Sequence, residues 1–240
     1  PAPQAQAAVP LKTQAMALQV GAAHLVNTGI AGPLAAGDYY GHNLGFGAAG
    51  AMLAGDSKLA LKFADHLYRA YPERAFASDG MSALEGRGFA IYGRFDPKRM
   101  LERAAPAPGR PLATALYHYG RGEAFVMLRD AAGLEQERDA ISGRETLARI
   151  ARLVLSGRLA MLRGRADEAV SSFEDAASLQ ERLLSNSMDP PPWWYPVRRS
   201  AAAAHLKAGS FARAAEEAKK SLETWPEDAM ALLVLSKAEE

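Results

Sequence analysis

Apolar residues recur at helical spacing along most of the chain, and no segment alternates apolar and polar residues as a half-buried strand does. The pattern is clearest on either side of Gly164, where two apolar faces are separated by a short polar bend. The first face consists of Leu147, Ile150, Ala151, Val154, Leu155, Leu159 and Leu162, and the second of Ala169, Val170, Phe173, Ala176, Ala177 and Leu183. The periodicity therefore predicts an all-α protein.

The same periodicity predicts a succession of helices with proline, glycine or short polar stretches between them. A final helix is expected after Asp228, which has the side chain of a good N-cap. The predicted helices cover residues 11–27, 43–53, 59–71, 81–92, 97–103, 112–128, 134–141, 147–162 and 169–183, then a pair that starts at 196 and bends at 209–210, and lastly a helix that ends near 237.

Four glycines, Gly55, Gly93, Gly164 and Gly209, lie at predicted bends between paired helices, and a fifth bend falls between Arg129 and Gly133. The bends follow one another at steps of about 35 to 45 residues, a period typical of stacked helical hairpins. Each such hairpin has apolar faces that it can bury only against its neighbours.

The residues around these bends resemble the tetratricopeptide repeat. The family has a small residue, a bend glycine, further small or aromatic residues and a late proline at set offsets. Tyr71-Pro72-Glu73 and Trp225-Pro226-Glu227 place their prolines at the same distance, 17 residues, from Gly55 and Gly209. The matching positions are Ala48, Gly55, Ala60, Ala64 and Pro72; Gly157, Gly164, Ala169, Phe173 and Ala176; and Ala202, Gly209, Ala214, Ala218 and Pro226.

The resemblance covers about residues 38 to 235 and implies a right-handed superhelix of about five helix pairs with an extra helix at each end. The third pair departs from the pattern, because Arg129 replaces the bend glycine and Leu134 replaces a small residue. A narrower resemblance links four segments to a bacterial group of such proteins: His42-Asn43, Gly93-Arg94-Phe95-Asp96, residues 118–122 and residues 191–198. The family's first helices line an inner groove that binds partner proteins.

Composition is that of an ordered protein, with 49% hydrophobic and 23% charged residues. The net charge of +1 gives no overall attraction to nucleic acid, and no apolar run reaches the length of a membrane span. Residues 1–10 are rich in Ala, Pro and Gln and are expected to be a flexible segment before a single repeat domain at 11–240. This segment fits an exported protein and a cytoplasmic one equally, so the compartment stays open.

Two motifs suggest chemistry that the rest of the chain does not support. Residues 45–50 match the dinucleotide-binding pattern GxGxxG, but no strand precedes them, so close helix packing is the better interpretation. The chain has no cysteine, and its five histidines lack the spacing of a metal site. Because no nucleophile, base and acid can be assembled from spacing, we predict neither a cofactor, nor a metal, nor an enzyme.

Aromatic, histidine and basic side chains concentrate at or before the predicted first helices. Tyr and Trp supply large contact areas, and arginines in a concave surface suit carboxylates such as those of an acidic peptide. For each residue, packing or solvation is the alternative to partner binding. The predicted partner-binding residues are Tyr40, His42, Asn43, His118, Tyr119, Arg158, Trp194, Tyr195, Arg198, Arg199 and Lys207.

The sequence thus predicts a non-catalytic scaffold that binds a protein or peptide in a groove, without nucleic acid and without a membrane span. A second hypothesis is a receptor for a small ligand or metal, built from His42, His118, Tyr119 and nearby aromatic residues. Association of two copies through the end helices is a further possibility.

Overall fold

The computed structural model describes residues 38–71, 78–184 and 191–240. Every regular element in these ranges is a helix, which confirms the all-α prediction. The helices are α1 (Asp38–Ala54), α2 (Ser57–Ala70), α3 (Asp79–Phe95), α4 (Pro97–Glu102), α5 (Pro111–Leu128), α6 (Ala131–Ala140), α7 (Thr146–Leu162), α8 (Ala166–Leu184), α9 (Arg198–Lys207), α10 (Phe211–Thr224) and α11 (Ala229–Glu239). None of these helices is both long and apolar enough to cross a membrane.

The helices pack in the order in which they occur in the sequence. Each helix contacts the next one along the chain, from α1 to α11. In addition, the helices that open each pair, which we call the first helices (α1, α3, α5, α7 and α9), contact one another in the steps α1–α3, α3–α5 and α5–α7. Second helices such as α2, α6 and α8 show no comparable contact among themselves in the described ranges. Contacts between first helices therefore join the pairs from α1 to α7, whereas the pair that α9 opens is joined to the preceding one through α8.

Four of the five predicted bends are confirmed by a residue with left-handed backbone. Gly55, Gly164 and Gly209 have φ of 71°, 73° and 77°, and Arg129 has φ of 57°. After two of these bends an aspartate caps the next helix: Asp56 accepts from the Leu59 amide at 2.9 Å, and Asp130 accepts from the amides of Ala132 and Gly133. Left-handed geometry followed by a cap explains why the chain reverses within two residues.

The prediction of a bend at Gly93 is wrong. Helix α3 continues to Phe95, and the chain turns at Asp96, whose carboxylate caps α4 by accepting from the Arg99 amide at 3.3 Å. A Cβ on Gly93 would overlap the backbone carbonyl oxygen of Gly120 on α5. Gly93 is therefore needed for the close approach of two helices and not for a turn.

The glycine-rich motif at 45–50 lies inside α1, with no strand before it among the described residues. A Cβ on Gly47 would overlap the ring of Phe63 on α2. The interpretation of these glycines as packing residues is confirmed at Gly47.

The remaining helix predictions agree with the structure to within about five residues: α1 begins at Asp38 instead of residue 43, and the fifth pair begins at Arg198 instead of Pro196. The last helix starts after Asp228, whose carboxylate accepts from the Met230 amide at 3.0 Å, as predicted. The predicted helix at 11–27, the segment 1–10 and Pro72 lie outside the described residues.

Replacing Arg129 with glycine is expected to stabilise the protein by about 0.5–1 kcal/mol, because an L side chain with positive φ is strained. The Arg129 side chain is exposed, so little packing is lost. Urea denaturation of both proteins measures the difference. The converse change, Gly164→Ala, puts a Cβ on a residue with φ of 73° and should lower the free energy of unfolding. A change of the same sign in both variants would contradict this explanation.

Candidate functional site

A non-helical segment, residues 191–197, bends across the first helices α3 and α5, and we call it the strap. Its first residue, Pro191, accepts a hydrogen bond from Arg87 of α3 at 2.8 Å. Trp193 and Trp194 then pack on Tyr119 of α5, with ring centroids 5.1 and 5.8 Å away. The strap thus covers the surface on which the first helices meet.

The C-terminal half of the strap is held by one side chain of α8. Gln180 donates to the carbonyl oxygen of Tyr195 at 2.9 Å and accepts from the amide of Val197 at 2.8 Å. A side-chain amide can donate and accept at the same time, so Gln180 provides hydrogen-bond partners for two backbone groups that lie outside any helix. This fixes the position of the strap just before α9 begins.

Arg87 ties the strap to the first helices from inside the protein. Its side chain is buried, and its two terminal nitrogens donate to the carbonyl oxygens of Gly45 in α1 and Pro191 in the strap. Burial lowers the pKa of Arg87 to about 10, so the guanidinium stays charged at neutral pH. Among the described residues it forms no ion pair with a carboxylate.

A buried carboxylate, Glu123 of α5, lies beside the strap between two arginines. Its oxygens are 3.6 Å from a terminal nitrogen of Arg94 on α3 and 3.5 Å from Nε of Arg158 on α7. The hydroxyl of Tyr119, one turn earlier on α5, donates to Glu123 at 3.0 Å. Three successive first helices are therefore joined at one carboxylate.

The charges of this cluster shift one another's pKa. Burial by itself raises the pKa of Glu123, but Arg158 and Arg94, together with the Tyr119 hydroxyl, bring it below its ordinary value. Burial lowers the pKa of Arg158, but Glu123, Tyr195 and Tyr119 together raise it, so that its net shift is upward. Glu123 is consequently ionised at neutral pH, with two positive charges beside it.

The two arginines are partly open to solvent, whereas the carboxylate is not. The side chains of Arg94 and Arg158 are 34% and 25% exposed, against 2% for that of Glu123. A third arginine, Arg199 of α9, lies 4.5 Å above the ring of Tyr195 in the strap and pairs with Asp228 at 3.0 Å. We call Arg94, Arg158 and Arg199 the arginine row.

The structure puts several of the predicted partner-binding side chains inside the protein. Tyr119, Trp194 and Tyr195 are at most 2% exposed, because they form the contact between the strap and α5. Their rings supply no surface to a partner in this arrangement, which corrects the expectation of an aromatic binding surface at these three residues. The packing alternative is the correct one for them.

The other predicted residues are dispersed. Arg198 pairs with Glu181 of α8 and Glu217 of α10, on the side of the second helices. Lys207 is exposed and forms no ion pair with any described residue. Tyr40, His42 and Asn43 belong to α1, but their side chains lie outside what the structure describes.

His118 and Tyr119 are adjacent in sequence but face different neighbours. His118 Nδ1 is 2.7 Å from Glu137 of α6, whereas Tyr119 contacts Glu123 and the strap. Within the described ranges no group of three or more His, Asp or Glu side chains is arranged to hold a metal ion. These contacts give no support to the receptor hypothesis.

Sequence reasoning missed Arg87, Arg94 and Glu123 as site residues. The available signal for Glu123 was a carboxylate among the small and apolar residues of α5, where an unpaired charge would be costly. Its spacing of four residues from Tyr119 was a second signal, since such residues are neighbours on a helix.

No family model, curated protein or solved structure matches the chain.

Proposed function

We propose that this chain is a non-catalytic interaction module of the tetratricopeptide-like kind, a right-handed solenoid of helix pairs that binds an acidic segment of a partner protein. The sequential packing of the helices and the contacts between consecutive first helices support the solenoid. The left-handed bend residues at 55, 129, 164 and 209 support a repeated hairpin.

The observation that carries the binding proposal is the arrangement around Glu123. One carboxylate faces two guanidiniums, so the cluster retains one unit of positive charge. Both arginine side chains are partly exposed while their shared carboxylate is buried, so solvent meets the arginines and not the acid. Guanidinium groups in fixed positions are suited to bind carboxylates through paired hydrogen bonds.

The strap determines which part of this surface a partner meets. Its aromatic rings occupy the face of α5, so a partner contacts the arginine row beside the strap and not the aromatic residues. Arg94 and Arg158 then supply most of the attraction, because Arg199 is less exposed and already paired with Asp228. Binding of this kind is electrostatic and weakens as salt concentration rises.

Selection of short random peptides on the purified protein tests the proposal, followed by fluorescence anisotropy with the selected sequences. We expect the selected peptides to be acidic. Arg94→Gln should weaken their binding about fivefold or more, because it removes a charged hydrogen-bond donor and leaves Glu123 paired with Arg158.

The matched control is Arg165→Gln. It also removes one positive charge, but from an exposed arginine that lies in the bend before α8 and pairs with Glu168. Its affinity should equal that of the wild type. Far-UV circular dichroism and the thermal midpoint establish that both variants are folded. Neutral or basic selected peptides, or equal affinity for wild type and Arg94→Gln, would exclude recognition by the arginine row.

A further inference from the structure

A second basic site lies between α7 and α8, away from the arginine row. The two helices flank an open surface groove of about 360 Å³, which we call the cleft and which is also lined by Leu153 and Leu179. Its rim is polar and carries Arg149 and Arg152 from α7 and Asp175, Ser178 and Arg182 from α8. The spacings of three and four residues place each helix's contribution on one side of that helix.

The three arginines of the cleft differ from most others in the protein. Two arginines in the bend between α7 and α8 form ion pairs: Arg163 pairs with Glu135 at 2.6 Å, and Arg165 with Glu168 at 3.0 Å. Arg149, Arg152 and Arg182 form no ion pair with any described residue, although all three line one small volume. Like charges that line one groove and outnumber its single carboxylate, that of Asp175, favour an anion between them.

The cleft is on the opposite side of α7 from the arginine row. Arg149 and Arg158 are nine residues apart, about two and a half helical turns, so they project from opposite faces. Occupation of the cleft therefore does not depend on the function proposed above, and either proposal can fail without the other.

We propose that this cleft binds a phosphate monoester. Three guanidiniums and the hydroxyl of Ser178 offer more donors than the two oxygens of a carboxylate can accept, whereas a phosphate monoester has three terminal oxygens. Three arginines and Asp175 give the rim a net charge of +2, which balances the charge of −2 on the doubly ionised monoester. Arginine is also the side chain best suited to planar, paired contacts with phosphate oxygens.

Isothermal titration calorimetry with inorganic phosphate, O-phosphoserine and dimethyl phosphate tests this site. We expect saturable binding of inorganic phosphate and of O-phosphoserine at millimolar Kd or better, and weaker binding of the singly charged diester. Tighter binding of O-phosphoserine than of inorganic phosphate identifies a phosphorylated side chain as the source, and the reverse identifies free phosphate.

Two variants assign the binding to the cleft. Arg152→Gln should weaken it about tenfold, because one charged donor is lost, and Asp175→Asn should strengthen it severalfold, because the one repelling charge is removed. The control Arg69→Gln removes an exposed arginine of α2 that forms no ion pair with a described residue, and should change nothing.

Three results would overturn the proposal. The first is that neither inorganic phosphate nor O-phosphoserine binds saturably up to about 10 mM. The second is an equal loss of affinity in Arg152→Gln and Arg69→Gln. The third is weaker binding by Asp175→Asn than by the wild type. Asp175→Asn adds no bulk and removes no packing contact, so it keeps the test decisive even if Arg152→Gln alters the fold.

Discussion

Replacement of Gly93 by alanine is expected to destabilise the protein by roughly 3 kcal/mol, although alanine is the better helix former. The added methyl group would overlap the carbonyl oxygen of Gly120, and it would also lie 3.1 Å from Cβ of Glu123. The contact is with backbone, which no side-chain rotation can relieve. Helices α3 and α5 must therefore separate, and Phe89 of α3 loses its contact with the ring of Tyr117 on α5.

Urea denaturation followed by circular dichroism measures this change, and Gly80→Ala is the matched control. Gly80 belongs to the same helix, but a Cβ there meets nothing within 4 Å. The control should be neutral or slightly stabilising, by up to about 1 kcal/mol. Equal stabilities for the two variants would show that α3 and α5 are not in close contact at Gly93.

Glu123→Gln is expected to lower the free energy of unfolding by about 3 kcal/mol at neutral pH. Glutamine keeps the shape of the side chain and can still accept a hydrogen bond from Tyr119. The fall in the free energy of unfolding is therefore due to removal of the buried negative charge. Arg94 and Arg158 then lie beside each other without a counterion. Their partial exposure lets water hydrate them, which keeps the loss at the lower end of the range for buried pairs.

Glu135→Gln is the control for this experiment, because Glu135 also lies between two arginines, Arg138 and Arg163. Its side chain is 39% exposed, against 2% for Glu123, so burial is what distinguishes the two sites. We expect little change in the denaturation midpoint for Glu135→Gln. A loss as large as that of Glu123→Gln would mean that burial does not control the strength of these pairs.

The pH dependence gives an independent check on Glu123. Its pKa in the folded protein lies below its ordinary value of 4.5, since Arg158 and Arg94 outweigh the effect of burial. A group with a lowered folded pKa contributes stability above its unfolded pKa and loses that contribution as the pH falls through the folded pKa. The difference between wild type and Glu123→Gln should therefore be largest near neutral pH and shrink below about pH 4.5. The pKa values of Asp65 and Glu137 are also below their ordinary values. Both residues are present in wild type and variant, so their contributions to the pH dependence cancel when the two proteins are compared.

Local sequence signals were sufficient for most of the helices and bends. Apolar periodicity located the helices, and the glycine or aspartate at a bend determines its geometry within a few residues, as at Gly55-Asp56. Gly93 was misassigned because a glycine at a turn and a glycine at a helix crossing look the same in a single sequence. Only the position of α5, far along the chain, separates the two cases.

The candidate site was less predictable, because its contacts join distant residues. Arg87 and Pro191 are 104 residues apart, and Arg94 and Arg158 meet at a carboxylate on a third helix. Trp194 and Tyr195 were correctly associated with the first helices, but their burial depends on how the strap crosses α5. Helical periodicity carries no information about where a non-helical segment between helices will lie.

The stacked indoles of the strap also give the protein a built-in optical signal. Trp193 and Trp194 lie 4.7 Å apart at 17°, shielded from water, and the chain has one further tryptophan, Trp225. Paired chromophores in fixed orientation produce a near-ultraviolet dichroism band that disappears when they separate, and their emission moves to longer wavelength on contact with water. Detachment of residues 191–197 can therefore be followed spectroscopically without any added label.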